Sequence, residues 1–338
     1  MNIGDFDLTQ KTMIIAEIGE NHNGYFETAV EMVRKAAESR ADAVKFQAYR
    51  AEGIVTKVAP SHVPSIMGGG SPFEHYRRLE LSKEQFQELA RLAKQLGMVF
   101  LSSVFDEECA DMVEELVPAF KIASGDLTNL PLIRHVAKKG KPIILSTGMA
   151  SIEEVREAIK GIPEGQLVLL HCVSRYPAPI EIANLRTIPF LKEEFSVPVG
   201  YSDHTVGTIA CVAAVALGAV LIEKHFTLDK SQPVGDHRLS AEPQDFKQMV
   251  DDIRKVEEAL GRYAKQLDAT ELEMRKLARR SLVARDSIPK GTILTKEMLV
   301  PLRPAMGISP SLIDRVVGKR TARAIEKDAP LVEEDIVW

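Results

Sequence analysis

Apolar runs of four to seven residues recur eight times before residue 225, and an amphipathic helical pattern follows each one. The runs lie at 13–18, 43–47, 98–104, 120–123, 142–146, 167–173, 197–201 and 219–223. The helical patterns lie at 27–39, 82–96, 106–116, 130–139, 151–159, 182–195, 206–217 and 244–260, the second opening with a Ser82-Lys-Glu-Gln85 capping box. Parallel strands need a crossover between them, and a helix is the usual one, so this alternation predicts an α/β chain. Eight repeats over about 260 residues are the signature of a (β/α)8 TIM barrel. A doubly wound open sheet alternates too, but it rarely reaches eight repeats, and no Gly-x-Gly-x-x-Gly turn follows the first run. The expected organisation is a barrel over 1–262, a helical linker over 263–280 and a small, mostly β domain over 281–338.

A barrel makes a parity prediction, because residues two apart on a strand share a face. Following one phase to the polar end of each run gives Glu17, Lys45 and Gln47, Ser103, Lys121, Ser146, His171, Ser202 and His204, and Glu223 and His225. Packing alone would place Val, Ile and Leu there. Two lysines with three serines make an anion cradle suited to phosphate or carboxylate. His204 and His225, 21 residues apart, come side by side if their strands are neighbours, and with a carboxylate they would form a metal site. A single strand-end histidine is more often only hydrogen-bonded in place; the convergence of eight strands is what favours a metal-assisted anion site.

Other classes find little support. A net charge of −5 gives no electrostatic case for nucleic acid or an anionic membrane. The three cysteines, Cys109, Cys172 and Cys211, are too dispersed for a disulfide framework or a thiolate metal site. No basic-then-apolar leader and no apolar span of about 20 residues occurs, so a cytoplasmic protein is expected.

Seven strings carry a family resemblance: IAEIGENHNG from Ile15, VKFQ from Val44, FKIASGD from Phe120, PIILSTGM from Pro142, LHC from Leu170, GYSDHT from Gly200 and IEKHFT from Ile222. Together and in this order they resemble the sialic acid (N-acetylneuraminate) synthase family, over essentially the whole chain. The resemblance implies condensation of phosphoenolpyruvate with an N-acetylated hexosamine aldehyde, giving a nine-carbon 2-keto sugar acid and phosphate. It implies a barrel followed by an antifreeze-like (SAF) domain, in a homodimer where the small domain covers the partner's barrel mouth.

By the same resemblance, His204 and His225 are ligands of Mn²⁺ or Mg²⁺, and Lys45, Ser103, Lys121, Ser146 and Ser202 contact phosphoenolpyruvate, with Ser103 standing where the family often has Thr. Gln47, Ser174, Tyr176 and Asp236 match sugar-side positions, Ser174 replacing an Asn of some members. Arg303, in Leu302-Arg-Pro-Ala, matches an arginine donated across the dimer, although Ala305 departs from the common Arg-Pro-Gly. Glu17, Asp126, Glu223 and Asp236 are the acid/base candidates: Asp126 or Glu223 for water activation, Glu17 for orienting substrate, and pairing with Lys45 or Lys121 as the alternative role. His22 reads as structural, His237 as a sugar contact and His171 as a group behind the site. The insertion between Arg50 and Glu80, with Gly68-Gly-Gly70, reads as a mobile flap from which residues 71–78 reach substrate.

The tail supports a separate unit. Ile288-Pro-Lys-Gly-Thr-Ile-Leu294…Glu297-Met-Leu299 recurs 37 residues later as Ile325-Glu-Lys-Asp-Ala-Pro-Leu331…Glu334-Asp-Ile336, which predicts a compact pseudo-symmetric unit. Two other readings remain open. A phosphoenolpyruvate-independent metal aldolase would use the histidines but not the lysines and serines, and a carbohydrate- or ice-binding protein would leave the barrel mouth unexplained. Within the family, N-acetylmannosamine is the first candidate sugar and 2,4-diacetamido-2,4,6-trideoxymannose, leading to legionaminate, the alternative.

Overall fold

The computed structural model describes residues 1–60, 71–233 and 235–338, so the Gly68–Gly70 loop lies outside the described residues. Two compact units result, Met1–Gly261 and Arg262–Trp338. In the first, eight parallel strands close a barrel. They are β1 (Met13–Glu17), β2 (Ala43–Ala48), β3 (Val99–Val104), β4 (Phe120–Ile122), β5 (Ile143–Ser146), β6 (Leu167–Cys172), β7 (Val199–Asp203) and β8 (Leu221–His225). β8 closes onto β1 in a register that sets His225 against Glu17, and onto β7 with Glu223 against Ser202.

Alternation along the strands sorts two cores. Ile14, Ala16, Val44, Phe46, Phe100, Phe120 and Ile122 face outward and pack under the helices. Met13, Ile15, Ala43, Leu101, Ile144, Val168, Leu170 and Leu221 face the lumen and fill its lower half. Ile3 and Leu8, from the N-terminal hairpin Asn2–Ile3/Phe6–Asp7, join that lower core. The lumen is therefore packed below and open only above, where the polar strand ends lie.

The covering helices are α1 (Phe26–Glu38), α2 (Lys83–Gln95), α3 (Glu107–Val113), α4 (Leu130–Ala137), α5 (Ile152–Ile159), α6 (Thr187–Phe195), α7 (Ile209–Ala216) and α8 (Pro243–Leu260). Ser82–Gln85 and Ser151–Glu154 form reciprocal capping boxes on α2 and α5, each Ser side chain contributing about 1 kcal/mol by satisfying an orphan N–H. The insertion after β2 is described at its two ends. It contains helices Ala51–Ile54 and Pro72–Leu79, and its ends are tied where Glu80 accepts from the Ala51 N–H and from Arg50. Gly24 is required beneath it, since a Cβ there would come within 2.3 Å of the Arg78 carbonyl.

The second unit carries helix α9 (Ala269–Ala278) and strands β9 (Ser281–Ala284), β10 (Leu299–Leu302), β11 (Arg320–Thr321) and β12 (Ile336–Val337). The 37-residue repeat becomes a pseudo-twofold. Ile288 and Ile325 exchange reciprocal N–H···O bonds of 2.8 Å, and Ala284 N–H to Ala329 O (3.0 Å) is matched by Thr321 N–H to Thr292 O (2.9 Å). The repeated Leu294 and Leu331 sit together in its own core.

Candidate active site

The upper lumen opens into a cavity of about 460 Å³ lined by Glu17, Lys45 and Gln47, Ser103, Lys121, Ser146, Cys172, Ser202, and Glu223 and His225, in strand order, with His204 just beyond β7. Parity thus brings together every predicted strand-end group except one. On β6 the lumen-facing residues are Leu170 and Cys172, so His171 points outward, stacks on Tyr201 (5.6 Å) and donates from Nε2 to the Ala183 carbonyl at 2.7 Å. Gln47, Ser174, Tyr176 and Asp236 also line the cavity.

Asp126 does not line it. It lies in a short 3-10 turn, Ser124–Asp126, accepts from Asn129 Nδ2 at 3.2 Å, and is half-buried at the start of α4. His22 is buried, accepts the Gly24 N–H at Nδ1 and lies outside the cavity; His237 sits against Thr227 Oγ1 at 2.6 Å. Arg303 belongs to the second unit, where it is exposed and precedes a cis Pro304. Sequence reasoning missed Glu20 in the wall, while Tyr76, also in the wall, comes from the 71–78 stretch that was expected there. Glu20, one loop beyond β1, pairs with the buried His75 at 2.8 Å; this fixes the helix that carries Tyr76.

The floor is an alternating charge network. Lys45 Nζ lies 2.7 Å from Glu17 Oε2 and 3.7 Å from Glu223 Oε2, and donates to Ser103 Oγ at 2.8 Å. Lys121 Nζ lies 3.8 Å from Glu223 Oε1, which accepts from Ser202 Oγ at 2.8 Å. Burial pushes Glu17 up to about 7 against the pull of Lys45, with Glu223 adding repulsion. Glu223 is buried too, but Lys121 and Lys45 hold it below the usual carboxylate range. Burial lowers Lys121; it opposes the charge of Lys45 as well, but Glu17 and Glu223 outweigh it and raise that lysine. The buried Ser146 and Ser174 hydroxyls have no protein partner, so the cradle holds polar groups ready for a ligand.

Above the floor the rings of His204 and His225 are 5.4 Å apart, and Tyr176 lies 4.1 Å from the former. His204 Nδ1–H donates to the Val173 carbonyl at 2.8 Å, which leaves Nε2 as the nitrogen available to a ligand. Asp236 Oδ2 is 3.3 Å from His225 Nδ1, a buried nitrogen with no hydrogen-bond partner. Burial and Glu20 push Asp236 up to about 8. Burial opposes charge on His204, but Cys172 and the Val173 carbonyl raise it to about 9; burial and His204 hold His225 well below the imidazole range. Among the described residues, no group of three or more His, Cys, Asp and Glu side chains is assembled for a metal. The donor set still fits a divalent ion held by two imidazoles, with water or substrate oxygens completing it.

A closed parallel barrel with a buried, charge-rich cavity at the carboxyl ends of its strands defines an enzyme of the (β/α)8 class. Residues 32–265 match the NeuB family and residues 279–337 the SAF domain. N,N'-diacetyllegionaminic acid synthase of Legionella pneumophila is 43% identical over 96% of this chain and 94% of its own. N-acetylneuraminate-9-phosphate synthase of Homo sapiens is 39% identical over 95% and 91%. The crystal structure of N-acetylneuraminic acid synthetase from Leptospira borgpetersenii superposes with a TM-score of 0.74 at 33% identity, covering 81% of this chain and 94% of that one. The chain belongs to the NeuB family of sialic, legionaminic and pseudaminic acid synthases, and is a nonulosonic acid synthase. No helix among the described residues is long and apolar enough to cross a membrane.

Proposed function

We propose that the chain condenses phosphoenolpyruvate with an N-acetylated hexosamine aldehyde and water, with C–O cleavage of phosphoenolpyruvate, to give a nine-carbon 2-keto acid and phosphate. The observation that carries this is the floor. Two buried lysines and the hydroxyls of Ser103, Ser146 and Ser202 surround one small volume, directly beneath two imidazoles. A metal aldolase acting without phosphoenolpyruvate needs the imidazoles but has no use for that cradle.

In this reading Lys45, Lys121 and the three hydroxyls bind the phosphate and carboxylate of phosphoenolpyruvate. Gln47, Ser174, Tyr176 and Asp236 orient the sugar. His204 and His225 would hold Mn²⁺ or Mg²⁺, which supplies Lewis-acid polarisation of the aldehyde oxygen. C3 of phosphoenolpyruvate forms the new bond to the aldehyde carbon, and the aldehyde oxygen takes a proton from Asp236, whose raised pKa keeps it an acid near neutrality. Water adds at C2 and gives one proton to Glu223, the carboxylate that stays ionised; the C2–O bond to phosphate then breaks as the new C2 hydroxyl passes its proton to the departing phosphate, which leaves the ketone. Glu17, half-protonated near pH 7, orients Lys45 and Gln47. Asp126 has no part, since it lies outside the cavity. In the homodimer the resemblance implies, Arg303 would come from the partner copy.

Relatives named N,N'-diacetyllegionaminic acid synthase, at 43% and 41% identity, stand above the N-acetylneuraminate-9-phosphate synthases at 39% and 38%. This favours 2,4-diacetamido-2,4,6-trideoxymannose over N-acetylmannosamine as the aldehyde. The test is phosphate release with Mn²⁺ and each sugar separately. Release that requires aldehyde and disappears with chelator and in His225→Ala is expected, fastest with the diacetamido sugar. Release without aldehyde dependence would sink the proposal.

A further inference from the structure

Lys224 stands between Glu223 and His225 on β8 but faces away from the lumen, and it is completely buried. Its Nζ donates to Asp203 Oδ2 at 2.7 Å and to the Thr205 carbonyl at 2.5 Å. These two acceptors flank His204. The strand that delivers His225 therefore grips the chain on both sides of His204, through a side chain on the opposite face of the barrel wall.

The rest of Asp203 is saturated. Oδ1 accepts from the Tyr201 hydroxyl at 2.9 Å and the Thr205 N–H at 3.0 Å; Oδ2 accepts from Thr205 Oγ1 at 3.2 Å and Cys211 Sγ at 3.3 Å. Both members of the ion pair are 0% exposed. An ion pair this deep is a poor stabiliser, because desolvating two charges offsets most of their attraction, and apolar replacements are often neutral or better. What it does supply is direction, since an ammonium bound to two fixed acceptors tolerates little displacement of either strand. On its other side His204 is bound to the segment after β6, through Nδ1 to Val173 O and from Ala178 N–H to the His204 carbonyl, both at 2.8 Å.

We propose that Lys224 and Asp203 are positioning residues that set the separation and pitch of the His204 and His225 imidazoles, and so the affinity of this pair for a divalent cation. The inference rests on the metal reading above. Lys224 and Asp203 touch neither substrate nor ion; they act through the backbone of β7 and β8.

The test is Mn²⁺ binding to the full chain, measured by calorimetry alongside thermal unfolding. Asp203→Asn combined with Lys224→Met removes both charges but keeps an acceptor for Tyr201 and Thr205. This double variant is expected to unfold cooperatively and to bind Mn²⁺ roughly 10- to 100-fold more weakly, as when a metal ligand's orienting partner is lost. Arg254→Met is the control: it breaks the Arg254–Asp42 pair (2.5 Å) at the opposite end of the barrel, and should lower the unfolding temperature without changing Mn²⁺ affinity. Wild-type affinity in the double variant, or an equal loss in Arg254→Met, overturns the inference. Should the double variant not fold, Asp203→Asn alone carries the test: binding weakened severalfold supports the proposal and unaltered binding overturns it. Wild-type protein with no Mn²⁺ binding that His225→Ala abolishes would remove the metal reading and this inference together, whereas intact His225-dependent binding with an indifferent double variant removes this inference alone.

Discussion

Replacing Lys45 by Met should destabilise the metal-free protein by an amount that grows with pH. The ammonium is 2% exposed and is the nearest cation to Glu17, at 2.7 Å. Met preserves most of the aliphatic length, so the change is chiefly electrostatic. In the wild type Glu17 titrates at about 7 and from an unfolded value of 4.5, so the folded state binds the extra proton between those values. Stability attributable to Glu17 therefore falls as pH rises through that window and is flat above it. Without Lys45 the carboxyl stays protonated to higher pH, and stability keeps falling above pH 7 by about 1.4 kcal/mol per unit. At pH 6.5, where Glu17 is largely neutral in both proteins, the difference should be about 1–2 kcal/mol, from the weakened Glu223 pairing and the lost donor to Ser103. By pH 9 it should reach about 3–5 kcal/mol, the range for breaking a buried pair. Urea unfolding at pH 6.5, 8 and 9 measures this, and Glu17→Gln/Lys45→Met should abolish the growth with pH. A loss that is constant across pH would refute the reasoning.

Three further outcomes follow from the geometry. Burial lowers His22 from 6.5 to about 4, so the unfolded chain binds the extra proton between those values; the contribution of His22 is present above pH 6.5 and is lost as pH falls towards 4, by about 3 kcal/mol in all. Comparing acid unfolding of wild type and His22→Asn should show that window flattened in the variant. Gly200→Ala should cost roughly 1–3 kcal/mol, since a Cβ there meets the Leu221 carbonyl at 2.5 Å and Leu170 Cδ2 at 2.7 Å; an unchanged unfolding temperature would contradict it. Asp126→Asn should leave phosphate release at the wild-type rate, whereas Lys121→Met should lower it roughly 10²-fold, and equal effects would show that the cavity boundary is misplaced.

Most of the barrel mouth was legible because charged and hydroxyl residues interrupt apolar runs at a period of two, which fixes the phase of each strand. Glu17, Lys45, Gln47, Ser103, Lys121, Ser146, Ser202, Glu223 and His225 all follow that phase to the cavity. Strand β6 was the exception for a clear reason. Leu167-Val-Leu-Leu is apolar throughout, so no alternation selects between His171 and Cys172, and side-chain polarity alone favours the wrong one. β7 runs Val199–Asp203 rather than 197–201, because Pro198 has no N–H to give to a ladder, and β8 ends at His225 because its polar residues are themselves strand residues. Glu20 was missed because it lies on no periodic element of the barrel: its place depends on the His75–Glu20 contact between segments 55 residues apart. The tail was readable as a pseudo-repeat because both copies keep Ile, Lys, Leu and Glu at the same spacing.

The most direct test of the central claim uses phosphoenolpyruvate carrying ¹⁸O in the oxygen that bridges C2 and phosphorus, with Mn²⁺ and the preferred N-acetylated aldehyde. Water addition at C2 followed by loss of phosphate predicts that the label leaves in inorganic phosphate, with one phosphate released per keto acid formed. Label retained in the sugar acid would place cleavage at the P–O bond and contradict the roles given to Glu223 and the lysine–serine floor.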